Sequence, residues 1–273
     1  MAMDLVKDAR KRQLIAAHRG VQGGNIPGNT IAAFDAALMQ GADLLEMDVT
    51  RSLDGTLYVF HPGMEHVYLK SEKRIDGMYD SEIAEQRFYN VDGTKTQYRV
   101  NRLDEVLDHL KGKCYINLDK YWEHVAPIME VVRRVSVMDQ IVAKAPFSET
   151  VIREVEQFAP DINFMLMLYE KDEWSDWMLK RNLHYIGAEV IFKSDASEFA
   201  TGKYIKSMHD RGLLVWANAI VYNYKTILAG GHNDDVSLSH SPELGWGWLL
   251  DHGYDIIQTD WPLALQMFKS GRG

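Results

Sequence analysis

Short β-type runs alternate with amphipathic helical segments along the whole 273-residue chain, and this alternation constrains the fold more than any other feature. Strands are predicted at Leu14–Ala17, Leu44–Val49, Cys114–Leu118, Gln140–Ala143, Asn163–Leu168, Val190–Phe192, Leu213–Ala217 and Ile256–Thr259. Helical segments are predicted between them at Thr30–Gln40, Leu103–Leu110, Val125–Val135, Ser148–Phe158, Glu173–Arg181, Gly202–Arg211 and Glu243–His252. Eight strands separated by helices imply a parallel sheet, and at this length an α/β fold of the closed (β/α)8 TIM-barrel type. The rival, an open doubly wound sheet, usually carries a Gly-rich turn after its first strand. His18-Arg19-Gly20 does not supply one.

Two stretches break the rhythm. His61 to Arg102 is polar, turn-rich and too long for an ordinary connection, so residues 62–102 form an expected insertion after the second strand. Asn218 to Pro242 is a second long loop, with His232 a candidate for lining a pocket. No linker or repeat divides the chain, and residues 1–273 are expected to form one barrel domain.

Composition narrows the function. A hydrophobic content of 46% excludes disorder, and the single Cys114 excludes a disulfide scaffold. No apolar run approaches the roughly 20 residues of a membrane span. Thirty Lys+Arg against 39 Asp+Glu give a formal charge of −9, and no basic stripe is visible, so a nucleic-acid partner is not expected. An anionic small molecule would need a local positive site, because the overall field repels it. The charged N-terminus lacks the apolar stretch of a signal peptide, which points to the cytoplasm. Nothing in the sequence sets the oligomeric state.

In a barrel, reactive side chains sit at the carboxyl ends of the strands. The first end carries His18 and Arg19. The second carries Glu46-Met47-Asp48, whose i, i+2 spacing sends both carboxylates to one face. Leu44, Leu45, Met47 and Val49 make this a central strand, where paired like charges are costly without a cation between them. An Asp54-Gly55 turn followed by the short strand Thr56–Phe60 forms a hairpin that returns His61 to the barrel mouth. Further ends supply Asp119 with Lys120, then Lys144, Lys193, Trp216 with Asn218, and Asp260, a partner of the site or the cap of the final helix. Three carboxylates without a Cys or His ligand cluster favour a hard cation, Mg²⁺ or Ca²⁺. Two histidines suit paired acid–base work. A cation flanked by Arg and Lys is a clamp for a phosphoryl group. Together these residues predict metal-assisted acid–base cleavage of a phosphate ester.

These residues resemble the glycerophosphodiester phosphodiesterases. That family opens with His-Arg-Gly, Pro-Glu-Asn-Thr, Ala-Phe, Gly-Ala-Asp, Glu-x-Asp, Asp-Gly and His-Asp. This chain has His18-Arg19-Gly20, Pro27-Gly28-Asn29-Thr30, Ala33-Phe34, Gly41-Ala42-Asp43, Glu46-Met47-Asp48, Asp54-Gly55 and His61-Pro62. The closing segments Val215-Trp216-Ala217-Asn218 and Gly253 to Pro262 are similar too.

The resemblance implies a TIM barrel with an insertion after the second strand, catalytic His18 and His61, and Arg19 on the phosphate. It implies one divalent cation held by Glu46, Asp48 and Asp119. The third acid replaces the Glu of the family's Glu-x-Lys pattern, so Tyr121 falls at the Lys position and Lys120 or Lys144 restores the charge. Trp216 is expected to wall the substrate pocket. Gly28 replaces the family's Glu, and Pro62 its Asp. The implied substrate is a small phosphodiester, a glycerophosphodiester above all. The alternatives are a sugar-phosphate diester, a lysophospholipid, or an inactive barrel kept for binding.

Overall fold

The computed structural model describes residues 3–272. Ten strands occur in chain order: β1 (Leu14–His18), β2 (Leu44–Arg51), β3 (Leu57–Val59), β4 (Asn101–Arg102), β5 (Tyr115–Asp119), β6 (Ile141–Pro146), β7 (Asn163–Tyr169), β8 (Tyr185–Ile191), β9 (Leu214–Asn218) and β10 (Ile256–Thr259). Eight of them, β1, β2 and β5 to β10, pair in parallel, and β10 closes onto β1. The result is the TIM barrel expected from the alternation. Seven strands fall within a few residues of their predicted positions. The sixth barrel strand begins at Tyr185 rather than Val190.

The cause of that difference is a bulge. Between β7 and β8 the register slips from Phe164↔Tyr185 to Met165↔Gly187, inserting one extra residue in β8. Gly187 adopts φ +152°, and a Cβ there would lie 2.0 Å from the Leu214 carbonyl oxygen. Only glycine permits this approach. The slip also changes parity, so Ile186 and Glu189 both face the barrel interior although they stand an odd number of positions, three, apart.

Strand alternation builds the interior in two storeys. Leu14, Ala16, Leu44, Tyr115, Val142, Met165, Ile186, Leu214, Trp216 and Ile256 form a buried lower core. Helix α1 (Leu5–Lys11) closes it from below with Leu5 and Ala9, which join the same cluster. Further along the same strand faces come His18, Glu46, Asp48, Asp119, Lys144, Met167, Glu189 and Gln258, which line a cavity. The opposite strand faces, with residues such as Ile116, Leu118 and Phe164, pack against helix residues such as Phe34.

Helix α2 (Ile31–Met39) starts beside that cavity. Its N-cap Thr30 accepts from the Ala33 amide at 3.3 Å and donates to the Pro27 carbonyl at 2.7 Å. Gly20, at φ +75°, lies so close beneath α2 that a Cβ would sit 2.6 Å from the Ala33 carbonyl carbon. The expected hairpin precedes residues 62–102: β3 runs antiparallel to β2, and β4, at the end of that segment, runs antiparallel to β3. A separate small core joins Tyr58 and Phe60 to Leu69, Ile75, Met78, Ile83, Phe88 and Val100 of the segment. No helix among the described residues is long and apolar enough to cross a membrane.

Candidate active site

The cavity at the carboxyl end of the barrel has an empty volume of about 370 Å³, the open solvent at its mouth included. Glu46, Asp48 and Asp119 each point one oxygen into it, and those oxygens lie within 4.8 Å of one another. Adjacent registers explain the cluster, because Glu46 pairs with Asn117 and Asp48 with Asp119 across β2 and β5. Burial, followed by the charge of Asp48, pushes Glu46 up to about 7. The same two causes raise Asp119. Crowded buried acids with elevated pKa values are groups that lack sufficient countercharge. The all-oxygen donor set and its spacing fit a hard divalent cation.

The remaining contacts hold this trio and neutralise it only in part. The Arg19 amide donates to Glu46 Oε2 at 3.0 Å. Arg19 Nε lies 2.9 Å from Asp48 Oδ2, yet its N–H is not aligned on an acceptor, so the contact is ionic. Asn29 grips Asp48 twice, its Nδ2 donating to Oδ2 at 2.9 Å and its Oδ1 accepting from the Asp48 amide at 3.2 Å. Lys120 Nζ stands 3.5 Å from Asp119 Oδ2. Arg19, Asn29 and Lys120 all occupy the left-handed region, at φ +56°, +57° and +59°. Non-glycine residues are uncommon there, and such strain gathers at functional sites.

The two histidines face the acids from opposite elements. His18 Nδ1 donates to Asp260 Oδ1 at 2.8 Å, leaving Nε2 free of that bond. Burial opposes its positive charge, but the Asp260 hydrogen bond and the charge of Glu46 prevail, so its pKa is raised. His61 comes from the turn after β3. Its Nδ1 donates to the Pro62 carbonyl at 2.9 Å, which places the neutral ring's lone pair on Nε2, 3.9 Å from Asp48 Oδ1. Burial, aided by the charges of Arg19 and Lys120, outweighs Asp48 and lowers its pKa. One imidazole is therefore shifted toward its protonated form and the other toward its neutral form.

A family model described as a domain of unknown function matches residues 164–268. An uncharacterized Bacillus subtilis protein, YqiK, is 27% identical over 173 residues, 59% of this chain and 70% of its own. A glycerophosphodiester phosphodiesterase from Caldanaerobacter subterraneus is 50% identical over 50 residues, 18% of this chain and 20% of that relative. The phosphodiesterase of Oleispira antarctica, solved in complex with the product sn-glycerol-3-phosphate, superposes with a TM-score of 0.71 at 18% identity, covering 96% of this chain and 99% of the other.

The likeness is to glycerophosphodiester phosphodiesterases. Within that likeness the departures from the family pattern acquire a structural meaning. Where the phosphodiesterase motif has Glu, Gly28 abuts Arg19, and a Cβ there would meet Arg19 Cβ at 3.3 Å. The Arg19 guanidinium contacts Asp48 instead. Where the motif has Asp after the second histidine, the Pro62 carbonyl orients His61. Tyr121, at the family's Lys position, is fully buried, while Lys120 and Lys144 reach the cavity.

His18, His61, Arg19, Glu46, Asp48, Asp119, Lys120 and Lys144 all line one cavity. Trp216 does not. It is fully buried beneath Lys144, whose Nζ lies 4.0 Å from the ring centroid. His232 also lies apart, stacked on Trp248 at 3.8 Å with its Nε2 2.9 Å from Asp195 Oδ1. Four lining residues went unassigned in sequence: Met167, Glu189, Tyr222 and Gln258. Tyr222 meets His18 edge-to-face at 5.9 Å. Gln258 was legible as the inward residue before the final strand's end. Glu189 was hidden, because the bulge at Gly187 breaks the alternation that would have exposed it.

Proposed function

We propose that this protein is a divalent-cation-dependent phosphodiesterase that hydrolyses glycerophosphodiesters to an alcohol and glycerol 3-phosphate. The observation that carries the reading is the buried trio Glu46, Asp48 and Asp119 set between two imidazoles of opposite protonation preference. Counting Glu189, four carboxylates line the cavity against the fixed cations Arg19, Lys120 and Lys144. With His18 protonated these charges only cancel, so a bound dication would supply the net positive charge that receives a monoanionic diester. The glycerol 3-phosphate bound by the Oleispira antarctica phosphodiesterase supports the substrate class.

A bound Mg²⁺ or Ca²⁺ would polarise the phosphoryl oxygen and acidify a hydroxyl next to it. Arg19 and Lys120 orient the phosphate and spread its charge. His61, neutral and with its Nε2 lone pair turned to the acids, takes the proton of the attacking hydroxyl. His18, held protonated by Asp260, delivers a proton from Nε2 to the departing alcohol, leaving a cyclic phosphate. Water then opens that ring with the roles reversed: His18 takes the water's proton and His61 returns its proton to the ring oxygen, which gives glycerol 3-phosphate. Asn29 keeps Asp48 in place, and Tyr222 covers the outer side of His18.

The test is hydrolysis of a panel of diesters, with and without a chelator, following which alcohol is released. Glycerophosphodiesters should be cleaved, and chelation should abolish turnover until Mg²⁺ or Ca²⁺ is restored. Absence of turnover on every diester with either ion would leave the alternative of a barrel kept for binding.

A further inference from the structure

Behind the barrel mouth, and not lining the cavity, a buried acid is held by neutral donors alone. Asp234 opens the short helix Asp234–Ser239 and is 2% exposed. Its Oδ1 accepts from Trp246 Nε1 and from Thr259 Oγ1, each at 2.7 Å. Its Oδ2 accepts from the Asp260 amide at 2.8 Å. Thr259 Oγ1 in turn accepts from the Trp261 amide at 2.9 Å. One carboxylate thus grips three consecutive residues, Thr259, Asp260 and Trp261, that end β10 and lead into the final helix. The chain reaches this knot from β9. The Asp234 amide donates to the Ala219 carbonyl and the Ala219 amide to the Gln258 carbonyl, both at 2.8 Å. The loop between Ala219 and Asp234, which carries Tyr222 against His18, is therefore closed at its root on β10.

An acid is a costly choice for such a place. Burial pushes Asp234 up to about 7, although all three hydrogen bonds oppose the shift. A turn that needed only a cap would be served by Ser or Asn. A carboxylate accepts from all three donors together, which the isosteric amide cannot do, because an Asn Nδ2 would turn its own N–H groups toward one of them. The three bonds have one mechanical consequence. They fix the backbone of Asp260, whose side chain is otherwise 36% exposed, and Asp260 Oδ1 is the acceptor of His18 Nδ1 at 2.8 Å. From Asp234 to the imidazole the path is two hydrogen bonds and one residue long.

We infer that Asp234 is a positioning residue for the His18 imidazole: it acts through Asp260, whose carboxylate it holds where the ring is fixed by Nδ1 and Nε2 stays available to the cavity. The inference rests on the proposed phosphodiesterase reading only for what His18 then does, protonation of the departing alcohol. Asp234 touches neither the substrate nor the cation. Its contribution belongs to turnover rather than to binding, because Asp260 and His18 act on charge that develops in the transition state. Trp246 and Thr259 share the task as donors that keep the carboxylate in its orientation.

The experiment combines a kinetic double-mutant cycle with proton NMR of the Mg²⁺- or Ca²⁺-loaded protein. On the glycerophosphodiester cleaved fastest in the diester panel, Asp234→Asn should lower kcat roughly tenfold and change KM by less than about twofold. The double variant Asp234→Asn, Asp260→Asn should be no slower than Asp260→Asn alone, since a residue acting through Asp260 then has nothing left to position. Unchanged kcat, or full multiplication of the two losses, overturns the inference. NMR reads the same link without catalysis. The Nδ1 proton of His18, assigned by its absence from His18→Gln, should be sharp in the unaltered protein and lost to solvent exchange in both Asp260→Asn and Asp234→Asn. A His18 proton as sharp in Asp234→Asn as in the unaltered protein overturns the inference. If Asp234→Asn does not fold, Thr259→Val, which removes one donor to Asp234, replaces it in both measurements, with a loss in kcat of about threefold that Thr259→Ser restores. Absence of any turnover would remove the phosphodiesterase reading and leave the NMR measurement to decide the positioning role.

Discussion

His18 Nδ1 and Asp260 Oδ1 lie 2.8 Å apart, joining the end of the first barrel strand to the residue just beyond the last. Asp260 is itself held from behind, since its amide donates to Asp234 Oδ2 at 2.8 Å. Asp234 also accepts from Trp246 Nε1 and Thr259 Oγ1, each at 2.7 Å. Of the two places the sequence offers Asp260, partner of the site or cap of the final helix, the hydrogen bond to His18 fits the first.

Asp260→Asn should narrow the pH profile from its alkaline side. His61, lowered by burial, must be neutral to accept a proton, so activity fails as pH falls through a value below the ordinary 6.5. His18, raised by Asp260 and Glu46 against its burial, must be protonated, so activity fails as pH rises through a value above 6.5. Loss of the Asp260 charge lowers the His18 value and moves the alkaline limb down, while the acid limb stays. The profile of kcat/KM at saturating cation checks this, with a fall on the order of 10²-fold expected near pH 8.

Addition of Mg²⁺ or Ca²⁺ should raise the unfolding temperature, and chelation should reverse it. Ligand at a hundredfold excess over its Kd contributes about 2.7 kcal/mol, several degrees for a chain of this size. Glu46 sits at about 7 through burial and Asp48, so cation binding must displace a proton and should strengthen as pH rises from 6 to 8. Glu46→Gln should abolish the thermal shift. A shift unaltered in that variant would place the cation elsewhere.

Asn29→Ala removes both hydrogen bonds to Asp48 and places alanine at φ +57°. A loss of about 2–3 kcal/mol of stability is expected. Denaturant unfolding measures it. Activity should fall further than stability explains, with kcat reduced roughly tenfold or more at temperatures where the variant remains folded.

Gly187→Ala tests the bulge. The added Cβ would overlap the Leu214 backbone, which cannot move as a side-chain tip can. Destabilisation above about 3 kcal/mol is expected. Mild destabilisation would mean that β8 can pair with β9 without the close approach, and Glu189 would then have no fixed place on the cavity floor.

Hydrophobic period and chain length were enough to specify the barrel, because burial on both faces demands apolar runs separated by amphipathic helices, and these are local properties of the chain. His18, Arg19, Glu46, Asp48, His61 and Asp119 were legible for the same reason: strand ends and the Asp54-Gly55 turn are local signals. The acid–base polarity of the two histidines was not, since it comes from Asp260, more than two hundred residues from His18 in sequence, and from the burial of His61 beside Arg19 and Lys120. Nor was Glu189, whose side was switched by a bulge visible only in the pairing of β8 with its neighbour. Trp216 looked like a pocket wall because a sequence cannot tell how deep a strand residue lies; closure of the barrel over α1 placed it beneath Lys144. Local pattern determines which residues reach the barrel mouth, whereas long-range contacts determine their charge, depth and partners, because those depend on atoms that only folding brings within a few ångströms.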